Sequence, residues 1–233
     1  MSGMLSYGSD TIHYEVRFLA TRQTLAIEVH PDSRVLVRAP IDCPETLIAE
    51  RVQKRAAWIS RQLAEFERYR PRTPARQYVN GESHLYLGRQ YRLKVIPGQV
   101  AEAKLMRDQF LVRVPEPLDR DRIKAVLHRW YIDRARATFT GILDAKLSLF
   151  EGVQKPRLVV RAMQSRWGSL SDAGAMTLNV NLIRAPRTCI EYVVVHELCH
   201  TRYRAHDRRF FRLLRQLMPD WERRKQRLES ALL

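Results

Sequence analysis

The chain has 233 residues, enough to bury a core as one domain or two small ones. Its formal net charge of +16 attracts polyanions such as nucleic acid, nucleotides or an acidic membrane surface, although solvated arginine-rich helix faces give the same total. No apolar run approaches a membrane span, Met1–Tyr7 lacks a basic segment followed by an apolar one, and Cys43, Cys189 and Cys199 follow no disulfide pattern; a membrane protein and a disulfide scaffold are therefore excluded, and a cytoplasmic location is expected.

The first third reads as strands and a helix. Residues 13–19, 25–29 and 35–38 alternate apolar and polar side chains, with Pro31-Asp32-Ser33 as a turn. Pro44 suits the start of a helix. From there Ile48, Val52, Ala56, Ile59, Leu63 and Phe66 fall at spacings of four and three, which predicts one amphipathic helix ending at Pro71-Arg72-Thr73-Pro74. A second β-rich stretch follows: Leu85–Leu87 and Tyr91–Val95 flank Gly88-Arg89-Gln90, and Phe110–Val114 follows a turn at Arg107-Asp108. Pro115-Glu116-Pro117 marks the expected boundary between a β-rich region, 1–115, and a second region, 116–233, the two packed as one compact unit.

Beyond it, Asp119–Phe150 reads as a long helix with Ile123, Leu127, Trp130 and Tyr131 inward and a break near Gly141. Residues 157–163 and 176–180 are predicted strands, separated by Arg166-Trp167-Gly168-Ser169. Pro186 opens another helix, and a last one starts near Arg208, with Phe210, Leu214, Leu217 and Trp221 on one stripe and an interruption at Pro219. No internal repeat or low-complexity tract is apparent.

The helix after Pro186 carries His196-Glu197-Leu198-Cys199-His200, an H-E-x-x-H string. Residues four apart share a helix face, so His196 and His200 can clamp one ion. Glu197 lies about 100° further round. It is placed to take a proton from an activated water rather than to join the ligands. Val193, Val194, Val195 and Leu198 make this helix apolar nearly all round, hence buried, and buried polar groups need partners. His206, six residues past His200, is the expected third ligand, in a bend before a helix capped by Asp207. The offset matches the metzincin pattern, but Tyr203 stands where that pattern has glycine. Cys199 reads as a small core residue. His13, His30, His84 and His128 show no ligand spacing.

These residues carry a resemblance. Ser165-Arg166-Trp167-Gly168-Ser169, Leu178-Asn179, the Tyr192–His200 run, His206 and Phe210 resemble the YgjP-like metal-dependent hydrolases, relatives of the SprT-type and other zincin metallopeptidases. Trp58-Ile59, Gly81-Glu82 and Tyr86-Leu87-Gly88-Arg89 extend the likeness towards the N-terminus. Leu170 stands where many relatives carry cysteine, so no side-chain role is carried over to it. The resemblance implies an α+β chain: a β-rich N-terminal region, then a zincin-like helical metallohydrolase core with a small sheet. It implies His196, His200 and His206 as ligands of one zinc ion and Glu197 as catalytic acid/base.

Three functions then compete. The first is a zinc-dependent metallopeptidase that binds peptide along a sheet edge near residues 166–180, with Arg166, Trp167 and Tyr203 as candidate substrate contacts. The second uses the same site on the phosphoanhydride of nucleoside triphosphates, with arginines holding phosphates; the chain has no Walker-type loop. The third is a nucleic-acid-binding module with structural zinc, touching phosphates through the basic stretches 51–76 and 208–227. Three histidines with a spare glutamate fit an open catalytic site better than a closed structural one.

Overall fold

A computed structural model gives an α+β fold and describes residues 2–8, 10–30, 32–67, 76–164 and 166–232. The predicted stop at residues 71–74, Pro31 of the predicted turn, Ser165 and the Phe66 side chain lie outside the described set. Two compact units are present, Met1–Thr73 and Pro74–Leu232. The division thus falls before the second β-rich stretch, not at residue 115. The reason is packing: Leu93, Phe110, Val112 and Val114 from that stretch are buried in one cluster with Ile123, Leu127 and Tyr131 of the following helix. No described helix is long and apolar enough to cross a membrane.

The first unit holds strands β1 (Ser2–Tyr7), β2 (Asp10–Phe18), β3 (Ala26–Val29) and β4 (Val35–Ala39), ordered β1-β2-β4-β3. Strands β2 and β4 are parallel and the outer pairs antiparallel. Alternation puts Ile12, Tyr14 and Val16 on one face, and helices α1 (Glu45–Lys54) and α2 (Ala56–Glu67) cover that core with Ile48, Val52, Ala56 and Ile59. The apolar stripe predicted one helix; the chain makes two. Arg55 leaves helical geometry at φ −105° and ψ 2°, and its N–H turns to the Val52 carbonyl. The stripe stays continuous across the break, because periodicity reports which face is apolar and not which hydrogen bonds are kept.

The second unit begins with β5 (Ser83–Tyr86), β6 (Arg89–Pro97), β7 (Glu102–Met106) and β8 (Gln109–Val114), ordered β5-β6-β8-β7. Its pairing repeats that of the first sheet, with parallel β6 and β8 between two antiparallel outer pairs. Helix α3 (Arg120–Leu147) packs on it and runs unbroken through Gly141, where a solvent-facing glycine costs helix propensity but removes no hydrogen bond. Asp119 caps its start by accepting from the Arg122 N–H at 2.9 Å.

A three-stranded sheet follows, ordered β10-β11-β9, from β9 (Arg157–Arg161), β10 (Gly168–Leu170) and β11 (Ala175–Asn179). A 3-10 turn over Val180–Arg184 leads into α4 (Arg187–Cys199), then α5 (Arg208–Leu217) and α6 (Trp221–Leu232). The interruption expected at Pro219 is present between α5 and α6. Helix α4 is the centre of this unit. It is buried on nearly all sides and packs against α3, α5, α6 and β10. Glu191 on its outer rim bonds Arg224 of α6 at 3.0 Å, and Arg224 also reaches Asp220 at 2.9 Å.

Candidate metal centre

Both ends of the H-E-x-x-H helix are held by backbone. At its start, the β5–β6 turn presses against Pro186: the Leu87 and Gly88 N–H groups donate to the Ile183 and Arg184 carbonyls, each at 2.9 Å. Gly88 sits at φ +80°, and a Cβ there would come within 2.8 Å of the Pro186 ring. Only glycine meets both demands. At the other end His200 closes the helix, and the chain turns back over residues 201–206. Asp207 then starts α5, its Oδ1 accepting from the Arg209 and Phe210 N–H groups at 2.9 and 3.0 Å. That cap fixes where His206 stands.

The three histidines converge. One nitrogen from each of His196, His200 and His206 falls in a set whose members all lie within 4.8 Å of one another. His196 and His206 face each other Nε2 to Nε2 at 2.9 Å. The His200 Nδ1 lies 3.0 Å from the Tyr203 carbonyl, a contact that needs Nδ1–H and leaves the Nε2 lone pair free. Phe210 is fully buried beneath the group, its ring centre 4.9, 4.7 and 4.7 Å from the three imidazoles. Burial and the neighbouring imidazoles push the His196 ring down to about 3, so it stays neutral; burial also lowers His206. Three converging imidazole nitrogens fit a cation, and the all-nitrogen donor set suits zinc and related transition metals.

Glu197 is 6% exposed and points out of α4 towards β10. A Cβ on Gly168 would lie 2.8 Å from Glu197 Oε1 and 2.9 Å from its Cγ. The glycine of the Arg-Trp-Gly-Ser run is therefore the space in which the carboxylate sits. Burial pushes that carboxyl up to about 7, against the opposing pull of the Arg166 charge and a hydrogen bond from the Leu170 backbone N–H. Leu170 thus contributes through its backbone, where its side chain offers no chemistry.

The loop that carries Arg166 and Trp167 is pinned by Asn179, which is 4% exposed. Its Nδ2 donates to the Met163 and Arg166 carbonyls at 2.9 and 3.0 Å, its Oδ1 accepts from the Asn181 N–H at 3.1 Å, and its own N–H donates to the Trp167 carbonyl at 2.9 Å. Sequence reasoning attached Asn179 only to a family likeness. A buried asparagine at a strand end, with four hydrogen-bonding positions to fill, was the available signal.

A cavity of about 580 Å³ brings these groups together, with Arg166, Trp167, Gly168, His196, Glu197 and His206 in its wall. Tyr192 and Arg204 line it too and were not anticipated. Tyr203 is not part of the wall: its ring lies under the Arg209 guanidinium at 5.5 Å, and its carbonyl serves His200. Arg204 reaches Asp172 of the β10–β11 turn at 2.8 Å. Cys199 is fully buried, is not one of the converging groups, and has its thiol pushed up to about 12 by burial, as a core residue should.

Two solved structures share a partial likeness. The metallopeptidase zymogen jannalysin of Methanocaldococcus jannaschii is 17% identical, covering 41% of this chain and 97% of its own, with a TM-score of 0.37. The zymogen abylysin of Pyrococcus abyssi is 20% identical over 38% of this chain and 87% of its own, with a TM-score of 0.35. At those scores neither carries an argument about function. A search of curated proteins finds no match. The sequence model described as YgjP-like, metallopeptidase domain, matches residues 23–231. With nearly the whole chain inside that match, the protein belongs to the YgjP-like family of metal-dependent hydrolases.

Proposed function

We propose that the chain is a zinc-dependent metallopeptidase in which His196, His200 and His206 hold one ion and Glu197 is the general base. The observation that carries this reading is the pairing of two features in one cavity: three converging imidazoles, and a buried carboxyl with an affinity for protons near neutrality. When bound, the ion supplies Lewis acidity, making a water acidic near pH 7 and polarising a carbonyl. Glu197 accepts the proton of the attacking water and delivers it to the departing amine, a task suited to a group that titrates near the working pH. Gly168 and Leu170 N–H keep the carboxylate in one place, and Asn179 holds the adjoining loop so that Arg166 faces the reacting carbonyl.

The sheet supports a peptide over a nucleotide. Strand β10 is the end strand, and residues 167 and 171 bond to β11 through the Asn179 N–H to Trp167 carbonyl and Ser171 N–H to Ala175 carbonyl contacts. Antiparallel alternation then turns the backbone groups of Gly168 and Leu170 to the outer edge, where Glu197 takes the Leu170 N–H, and the Gly168 N–H and the two carbonyls face an incoming strand. An extended peptide can add there as a further strand, its scissile carbonyl beside the histidines. Metal analysis with cleavage of an unstructured protein, set beside a panel of nucleoside triphosphates, tests the proposal. One metal per chain is expected, with chelator-sensitive peptide hydrolysis that Glu197→Gln abolishes. Turnover of triphosphates alone, or undiminished peptide hydrolysis by Glu197→Gln, overturns it.

A further inference from the structure

A second hollow, of about 790 Å³, lies on the outer face of α5. His206, Asp207, Arg208, Phe211, Arg212 and Arg215 line it. His206 belongs to its wall and to the wall of the hydrolytic cavity, so the two hollows meet at that ring. Arg208, Arg212 and Arg215 are spaced four and three apart, which aligns them along one helix face over about 10 Å. Neither Arg208 nor Arg212 pairs with a carboxylate among the described residues, and all three arginines are exposed. Arg215 reaches Glu222 at 3.3 Å, a pair open to solvent on both sides. Asp207 is committed elsewhere, one oxygen capping α5 and the other bonded to Arg209.

Apart from the exposed Arg215–Glu222 pair, the fold gains nothing from this row. Phe210 and Leu214 make the buried contacts of α5 from the opposite face. Arg208 stands in the first turn of the helix, which holds no acidic residue, although that end favours negative charge. Arginines one turn apart also repel. Three cations held in an unfavourable line, opening directly onto a hydrolytic cavity, are explained by an anion that comes to lie along them.

We propose that the α5 groove is a subsite for acidic residues of the polypeptide substrate, taking the chain as it leaves the hydrolytic cavity past His206. The proposal rests on the peptidase reading and names the substrate class. The helix rises about 6 Å from Arg208 to Arg212. An extended peptide places alternate side chains about 7 Å apart on one face. Glutamates at alternate positions therefore meet successive guanidinium groups, and the partly buried Phe211 in the same wall meets aliphatic carbon. Nucleic acid suits the groove less well. Strongly salt-dependent nucleic-acid binding comes from many phosphate contacts, on the order of six to ten. A row of this length spans far fewer.

Fluorescence anisotropy tests this without turnover. The full-length Glu197→Gln protein, metal-loaded, is titrated with short labelled peptides of alternating Glu-Ala, Gln-Ala and Lys-Ala and with a single-stranded oligonucleotide of similar length. The Glu-Ala peptide is expected to bind at least about tenfold more tightly than Gln-Ala. Adding Arg208→Gln and Arg212→Gln should erase that preference while the thermal midpoint stays unchanged. Equal binding of Glu-Ala and Gln-Ala overturns the proposal, as does a preference that survives loss of both arginines, or tighter arginine-dependent binding of the oligonucleotide. Hydrolysis by the unsubstituted enzyme separates the two readings. Cleavage of neutral and acidic peptides with equal kcat/KM overturns the subsite alone. Failure to cut any peptide overturns the peptidase reading and with it the groove's substrate role, whatever the anisotropy shows.

Discussion

Replacing Gly168 with alanine puts a methyl group where Glu197 already sits. The added Cβ would lie 2.8 Å from Oε1, 2.9 Å from Cγ and 3.1 Å from Cδ. Ordinary contact begins near 3.4 Å, so the carboxylate must retreat by about 0.6 Å. Gly168 is not among the positive-φ glycines, so its backbone accepts alanine without strain. Two opposing effects on stability follow: a gain of about 0.4–1 kcal/mol from a stiffer unfolded chain, and an overpacking cost of about 1–3 kcal/mol. Net stability therefore falls by at most about 2.6 kcal/mol, while Glu197, the proposed general base, loses its position. Misplacement on the scale of 1 Å costs on the order of a hundredfold in rate. Gly168→Ala should thus lower kcat/KM for peptide hydrolysis by about 10- to 100-fold with metal content unchanged. The assay is peptide cleavage on protein of measured metal stoichiometry. Full activity in a folded, metal-replete Gly168→Ala protein would refute the argument that this glycine exists to house Glu197.

Gly141→Ala is the control for glycine itself. It lies mid-helix with nothing within 4 Å of its added methyl, so thermal unfolding should rise by about 2–4 °C, or about 1 kcal/mol. Asn179→Ala leaves the Met163 and Arg166 carbonyls and the Asn181 N–H without their partly buried partner, which should cost about 1–3 kcal/mol in urea unfolding; Asn179→Asp, unable to donate to two carbonyls, should do no better. His84 is 2% exposed beside Glu82, with Nε2 and Oε2 3.0 Å apart, and burial holds its ring below the ordinary histidine value of 6.5. The unfolded chain then takes up its proton first. The stability this group contributes is present above about pH 6.5 and is lost as pH falls through the depressed value. Thermal midpoints of the wild type should drop more steeply between pH 7 and 5 than those of His84→Gln; parallel curves would show that His84 does not titrate differently on folding.

The elements that repeat a strong side-chain period were legible in the sequence. Helix α4 was, because an apolar run broken only by His196, Glu197 and His200 fits nothing but a buried helix carrying polar function. The bend before Asp207 was legible because aspartate is a strong helix cap, and the structure shows it capping. Strand β1 was not read, since its side chains are mostly exposed and carry no clean alternation. The break at Arg55 was invisible because the apolar stripe crosses it.

The sequence by itself determined the chemistry available to this protein: three histidines and a glutamate at spacings that one helix and one bend can bring together. Tertiary structure decided where the glutamate could point. Gly168, Leu170 and Asn179 shape its surroundings from strands 18 or more residues away in the chain, through a missing Cβ, a backbone N–H and a set of carbonyls. Tertiary structure alone also showed that the β1–β4 and β5–β8 sheets share one order and one pairing pattern. Both facts have the same physical cause. Backbone hydrogen bonds and close approach are made by groups that every residue carries, so residue identity does not announce them until the chain has folded.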